Sequence, residues 1–141
     1  MGKVPYFAGA SMKRIYIIDD DRNIVDSLSI VLKKEGFEVG AQNDELNVVG
    51  NLQKFKPDCV VLDVMFPENE GAGFEIARTI RKEDSLASLP ILMLSAVNEK
   101  GAYSGTFSNR DIDESWLPVS EFIEKPIKPK DLIEKLNRLT S

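Results

Sequence analysis

Carboxylates, a hydroxyl and an amine stand at the ends of short apolar runs in this chain. Ile15 to Ile18 is followed by Asp19, Asp20 and Asp21, Cys59 to Leu62 by Asp63, Ile91 to Leu94 by Ser95, and Phe122-Ile123-Glu124 by Lys125 and Pro126. Adjacent carboxylates with a further one on a neighbouring strand form a hard oxygen cluster. Mg²⁺ suits it, because that ion takes few carboxylates and prefers phosphate oxygens and waters as its other ligands. Asp21 is enough to cap the helix that follows, and three acids in a row exceed what a cap needs, since their mutual repulsion is uncompensated. With a metal in place, Asp63 can act as a nucleophile towards a phosphoryl group and form an acyl phosphate. Lys125 would then pair with one phosphoryl oxygen while Ser95 donates to another. Taken singly, each residue has a plainer use: a loop cap for Asp63, a turn for Ser95, a solvated amine for Lys125. Their shared position at strand ends carries the chemical reading.

The elements that must position them follow from hydrophobic period. Short apolar runs rich in β-branched residues read as strands buried on both faces, as in parallel sheets, where ligands gather at the carboxyl edge. Strands are expected at Lys13–Ile18, Phe37–Ala41, Cys59–Leu62, Pro90–Ser95 and Glu121–Glu124. Helical spacing joins Ile24, Val25, Leu28, Val31 and Leu32, with Gly36 as the stop. A second helix is expected from Asp44 to about Phe55 with Leu46, Val49 and Leu52 inward, and a third is marked by Phe74, Ala77 and Ile80 after a loop through Gly73. A last helix starts at Lys128-Pro129, with Leu132, Ile133, Leu136 and Leu139 facing the core. This alternation predicts an α/β fold, an open parallel five-stranded sheet covered on both faces. The stretch from Asn98 to Pro118 has no helical stripe, so a long loop is expected where a helix would ordinarily stand. Met1 to Met12 is expected to be a leader, native or left by expression, ahead of one domain over 13–141.

At 141 residues, with 43% hydrophobic and 29% charged side chains, the chain fits one soluble globular domain. No apolar run is long enough to span a bilayer, which argues against a membrane location. A net charge of −5 without a basic cluster argues against direct nucleic-acid binding. The single cysteine, Cys59, falls in a predicted buried strand, so a small core residue and a reducing cytoplasm are expected. Histidine is absent from the sequence, which excludes a Ser-His-Asp triad, and any phosphohistidine donor must be another molecule.

The order IIDDD, LDVMFP, LMLSA and FIEKPI resembles the receiver domain of bacterial two-component response regulators, and the chemotaxis receivers in particular. The resemblance spans Lys13 to Leu139 and implies a flavodoxin-like fold with strand order 2-1-3-4-5. It further implies that Asp63 is the phosphoacceptor and that Asp19, Asp20, Asp63 and the backbone carbonyl of Met65 hold Mg²⁺. Ser95 becomes the switch hydroxyl, Phe122 the switch aromatic, and Pro126 follows a cis bond. Two departures from the family pattern are the glycine-rich loop after Pro67 and the long Asn98–Pro118 connection.

The expected function is a cytoplasmic phosphorylation switch. A histidine kinase or histidine phosphotransfer protein is the donor, and output runs through contacts with a further, unnamed protein. It is not expected to be an enzyme beyond its own phosphoryl transfer. No output segment follows Leu139, so the expectation is a stand-alone switch or a receiver cut from a longer protein. Met65 and Val97, both apolar, cannot orient a hydrolytic water, which predicts a long-lived acyl phosphate. Two rivals are a Mg²⁺-dependent phosphatase working through an aspartyl phosphate and a receiver-shaped interaction module that takes no phosphate. Val64 and Met65, where a phosphatase needs a second acid, weigh against the first; the full set of acids, Ser95 and Lys125 weighs against the second.

Overall fold

The computed structural model describes residues 12–63, 72–95 and 119–141. Five parallel strands form one sheet: β1 (Arg14–Ile18), β2 (Glu38–Gln42), β3 (Cys59–Asp63), β4 (Ile91–Ser95) and β5 (Glu121–Glu124), in order β2-β1-β3-β4-β5. Four α-helices are present among the described residues, α1 (Arg22–Lys34), α2 (Val48–Phe55), α3 (Ala72–Lys82) and α4 (Pro129–Thr140), with a short 3-10 turn at Asp84–Leu86. This is the flavodoxin-like order that the sequence resemblance implies. The long loop expected over Asn98–Pro118 lies outside the described residues, as do Met65, Val97 and nearly all of the expected leader.

Side-chain alternation divides the core into two layers. On one face, Tyr16, Ile18, Val60, Leu62, Met93 and Phe122 pack against α2 and α3. On the other, Ile15, Ile17, Val61, Leu92, Leu94 and Ile123 pack against α1 and α4. Every residue of β3 is buried, as expected of a strand covered on both sides. Cys59 is fully buried, and desolvation pushes its thiol up to about 12, so it serves as a packing residue.

Local signals account for the helix ends. Asp21 caps α1 by accepting from the Asn23 and Ile24 amides, and Gly36 takes the left-handed conformation (φ 96°) that ends its C-terminal turn. Pro129 opens α4 at its first turn, and Leu132 and Leu136 are buried, with Ile133 and Leu139 packed partly against them.

Two helix starts differ from expectation. Asp44 does not open α2. Its carboxylate accepts instead from the Leu46 amide and from Gln42 Nε2, forming a local turn, and Asn47 is left-handed (φ 52°), so the helix begins at Val48. The inward residues are therefore Val48 and Leu52, with Val49 packed partly against the same core as expected, and Leu46 is exposed. At α3 the displacement is the other way: Ala72 and Gly73, read as loop, form its first turn.

Candidate phosphoacceptor and metal site

The carboxyl ends of β1, β3 and β5 bring Asp19, Asp63 and Lys125 to one edge of the sheet. Asp19 continues the row Ile15-Ile17, Asp63 the row Cys59-Val61, and Lys125 follows Ile123 by two residues. All three therefore extend the alternation of the α1/α4 layer past the last core side chains. Asp19 is fully buried, Asp63 is buried and Asp20 is half-buried. One oxygen from each of these three acids lies within 4.8 Å of the others.

Lys125 Nζ donates to Asp63 Oδ1 at 3.0 Å and stands 3.6 Å from Asp19 Oδ2. Asp19 Oδ1 accepts from the Asp21 amide at 2.9 Å, which fixes the carboxylate against the start of α1. Asp19 Oδ2 is buried and takes no hydrogen bond among the described residues. Burial pushes the Asp19 carboxyl up to about 6, and the Asp63 charge adds to this, while the Asp21 amide and Lys125 oppose it. For Lys125, burial alone would lower the ammonium's pKa, but Asp63 and Asp19 outweigh that and raise it. The amine is therefore held as a cation.

A divalent cation fits this donor set. The oxygens are hard, the acids outnumber the lysine, and a buried carboxylate oxygen lacks a hydrogen-bond donor. Of the other residues singled out from sequence, Ser95 closes β4 in register with Glu124, one step past Leu94, which pairs with Asp63. Phe122 is buried in β5 on the opposite, α2/α3 layer. The Lys125–Pro126 bond is cis. Met65 lies outside the described residues. Gln42 was not singled out: its carbonyl accepts from the Asp19 amide at 3.2 Å, and a neutral strand-end glutamine gives no sequence signal of that contact.

The response regulator receiver domain profile matches residues 15–137. The chain belongs to this family. It is 30% identical over 125 residues to the DNA-binding response regulator MtrA of Mycolicibacterium paratuberculosis, a match covering 88% of this chain and 49% of that protein. The receiver thus spans about half the length of the curated relatives it matches. Among solved structures, the receiver is similar to chemotaxis protein CheY4 of Vibrio cholerae, at TM-score 0.75 and 25% identity, covering 92% of this chain and 99% of that one. A CheY-like receiver domain protein of Methanospirillum hungatei aligns at TM-score 0.71 and 26% identity, covering 91% and 93%. The receiver is thus a signalling domain of the two-component type. Among the described residues no helix is long and apolar enough to cross a membrane.

Proposed function

We propose that this receiver is a phosphorylation switch in which Asp63 takes a phosphoryl group from a phosphohistidine of a histidine kinase or a histidine phosphotransfer protein. The observation that carries the reading is the position of Lys125 Nζ, 3.0 Å from Asp63 Oδ1, with a carboxylate oxygen of Asp19 and one of Asp20 within 4.8 Å of one on Asp63. In the transfer, an Asp63 carboxylate oxygen attacks phosphorus, the P–N bond of the donor breaks, and the departing imidazole nitrogen takes a proton. The product is an acyl phosphate. Lys125 needs little movement to exchange its contact with Asp63 for one with a phosphoryl oxygen. Mg²⁺, held by Asp19, Asp20 and Asp63 with the Met65 carbonyl, would supply neutralisation of the phosphoryl charge. Burial of Asp19 and Asp63 limits the water able to compete with the transfer.

The Ser95 hydroxyl would hold a second phosphoryl oxygen. A shift of Ser95 would be relayed to Phe122, since β4 and β5 are paired in register. Output would then run through protein contacts, in the cytoplasm, with residues 13–141 acting as the receiver unit and no catalysis beyond self-phosphorylation and its reversal. The DNA binding in the curated relatives' names belongs to proteins about twice as long, and the −5 net charge here favours no nucleic-acid contact by the receiver itself.

Incubation with acetyl phosphate and Mg²⁺, read by intact mass, tests this. One phosphoryl adduct is expected on the parent and none on Asp63→Asn. Stoichiometric labelling of that variant at another residue would remove Asp63 from its role, and continuous phosphate release without a stable adduct would point to a phosphatase.

A further inference from the structure

The turn between β2 and α2 holds a leucine outward. Leu46 is 68% exposed, yet its backbone is fixed at three points. Its amide donates to Asp44 Oδ1 at 3.1 Å, and its carbonyl accepts from Gln42 Nε2 at 3.0 Å and from Asn51 Nδ2 at 3.3 Å. Gln42 is itself held through Oε1, which accepts from the Tyr16 hydroxyl at 2.8 Å and from Asn51 Nδ2 at 2.9 Å. Side chains from β1, β2, α2 and the turn thus keep an apolar residue in solvent, when burial is its favoured state. The arrangement is built, in contrast to the singly scattered apolar residues common on surfaces.

Leu46 forms the rim of a groove of about 510 Å³ between α2 and α3, with Val48, Val49 and Ile76 among its apolar lining. The same lining carries Glu45 and Glu75 and, among the described residues, no cation. We propose that this groove docks an amphipathic basic helix of a partner protein. The partner's apolar residues would seat on Val49 and Ile76 beside Leu46, and its lysines or arginines would meet Glu45 and Glu75. A groove between two helices matches the apolar stripe of a third, and acidic walls select for basic flanks. A second copy of this chain is the poorer occupant. A two-fold contact would bring Glu45 and Glu75 of both copies to one place, and the net charge of −5 on each adds to the repulsion. The surface is independent of the Asp63 reading, because neither Asp63 nor Lys125 lines it.

The test uses a helical peptide with leucine on one face and lysine on the other, and a control with glutamate in place of lysine. Amide chemical shifts of the full chain are followed by NMR. The lysine peptide is expected to shift Leu46, Val49, Ile76 and Thr79 saturably, and the glutamate peptide is not. Leu46→Ser, and separately the pair Glu45→Lys with Glu75→Lys, should each weaken binding by about tenfold or more, with melting temperature unchanged because all three side chains are exposed. Asp63→Asn should bind the lysine peptide as the parent does, which separates failure here from failure of the phosphoacceptor assignment. Three outcomes would overturn the proposal: shifts spread over the acidic surface and insensitive to Leu46→Ser; equal binding of the glutamate peptide; and concentration-dependent self-association that Leu46→Ser abolishes, which would make a second copy the occupant.

Discussion

Lys125 Nζ and Asp63 Oδ1 meet at 3.0 Å across 62 residues of sequence, with one strand, β4, between the strands that carry them. The pair sets the charge balance of the whole edge, because the same amine is 3.6 Å from Asp19.

Replacing Lys125 with Met removes the cation from between two buried carboxylates. In metal-free buffer the variant is expected to lose about 1–3 kcal/mol, less than a fully enclosed pair would lose because the lysine side chain is 24% exposed. Millimolar Mg²⁺ should restore more stability to Lys125→Met than to the parent, since a divalent ion neutralises the same oxygens. Urea denaturation of both proteins with and without Mg²⁺ checks this, and equal midpoints without metal would contradict it.

The Asp19 carboxyl, raised from 3.8 to about 6 by burial, binds a proton more readily in the folded chain than in the unfolded one. Its contribution favours the metal-free fold below pH 3.8 and is lost as pH rises through about 6, by an amount on the order of 2–3 kcal/mol. Mg²⁺ needs the deprotonated carboxylate, so stabilisation by Mg²⁺ should be full above pH 7 and fade as pH falls below 6. Melting curves at fixed Mg²⁺ across pH 5 to 8 give the result directly. Asp20→Ala should remove most of the Mg²⁺ effect; a Mg²⁺ shift independent of both pH and Asp20 would place the ion elsewhere.

Glu121 of β5 ties down the end of α4. Burial works to raise its carboxyl, but Lys135 at 2.8 Å and Arg138 at 2.6 Å outweigh that and hold it below the usual range. A depressed carboxylate contributes stability above its unfolded pKa and loses it as pH falls through the folded value. Glu121→Gln should therefore cost about 1 kcal/mol at neutral pH and less in acid, the cost shrinking as pH falls through the carboxyl's lowered pKa. Chemical denaturation of parent and variant at neutral and acid pH measures the difference.

Gly40 in β2 lies under the Phe55 ring. A β-carbon there would come within 2.9 Å of Phe55 Cε1 and 3.0 Å of Tyr16 Cδ1, while Arg14 stacks over the same Phe55 ring at 4.4 Å. Gly40→Ala is expected to destabilise the fold by about 1–3 kcal/mol through overpacking. The site acids should be untouched, so acetyl-phosphate labelling of the folded variant should match the parent.

The sheet was legible because three of its strands, β1, β3 and β4, are apolar on both faces and end in or are followed by polar residues. Asp19, Asp63 and Lys125 could be placed on one edge from that alone, once parallel order was inferred. Cys59 could be set aside for the same reason, as one more buried member of β3. The turn before α2 was not legible. Asp44 has the composition of a helix cap, and only the competing claims of Gln42 Nε2 and the Leu46 amide on its carboxylate turn it to another use. Leu46 was then assigned inward by helical period, when the helix that would have buried it starts two residues later. Such side-chain contacts depend on β1, β2 and α2 being assembled, and no window as short as a single helix or strand contains all three.

The shared alternation of Asp19, Asp63 and Lys125 has a consequence for how this receiver tolerates change. Ile15 to Ile18 and Cys59 to Leu62, the runs that lead to Asp19 and Asp63, are buried on both faces, so a strand sliding by one position would still present greasy side chains to either layer. Its terminal reactive group, however, would turn to the opposite side of the sheet. Hydrophobicity therefore guards the folding of these strands but not their phase. Aliphatic residues within them can exchange with little effect on chemistry, whereas the number of residues between the strand-fixing contacts, such as the Arg14 amide on Asp58 Oδ2, and the terminal acid cannot change by one.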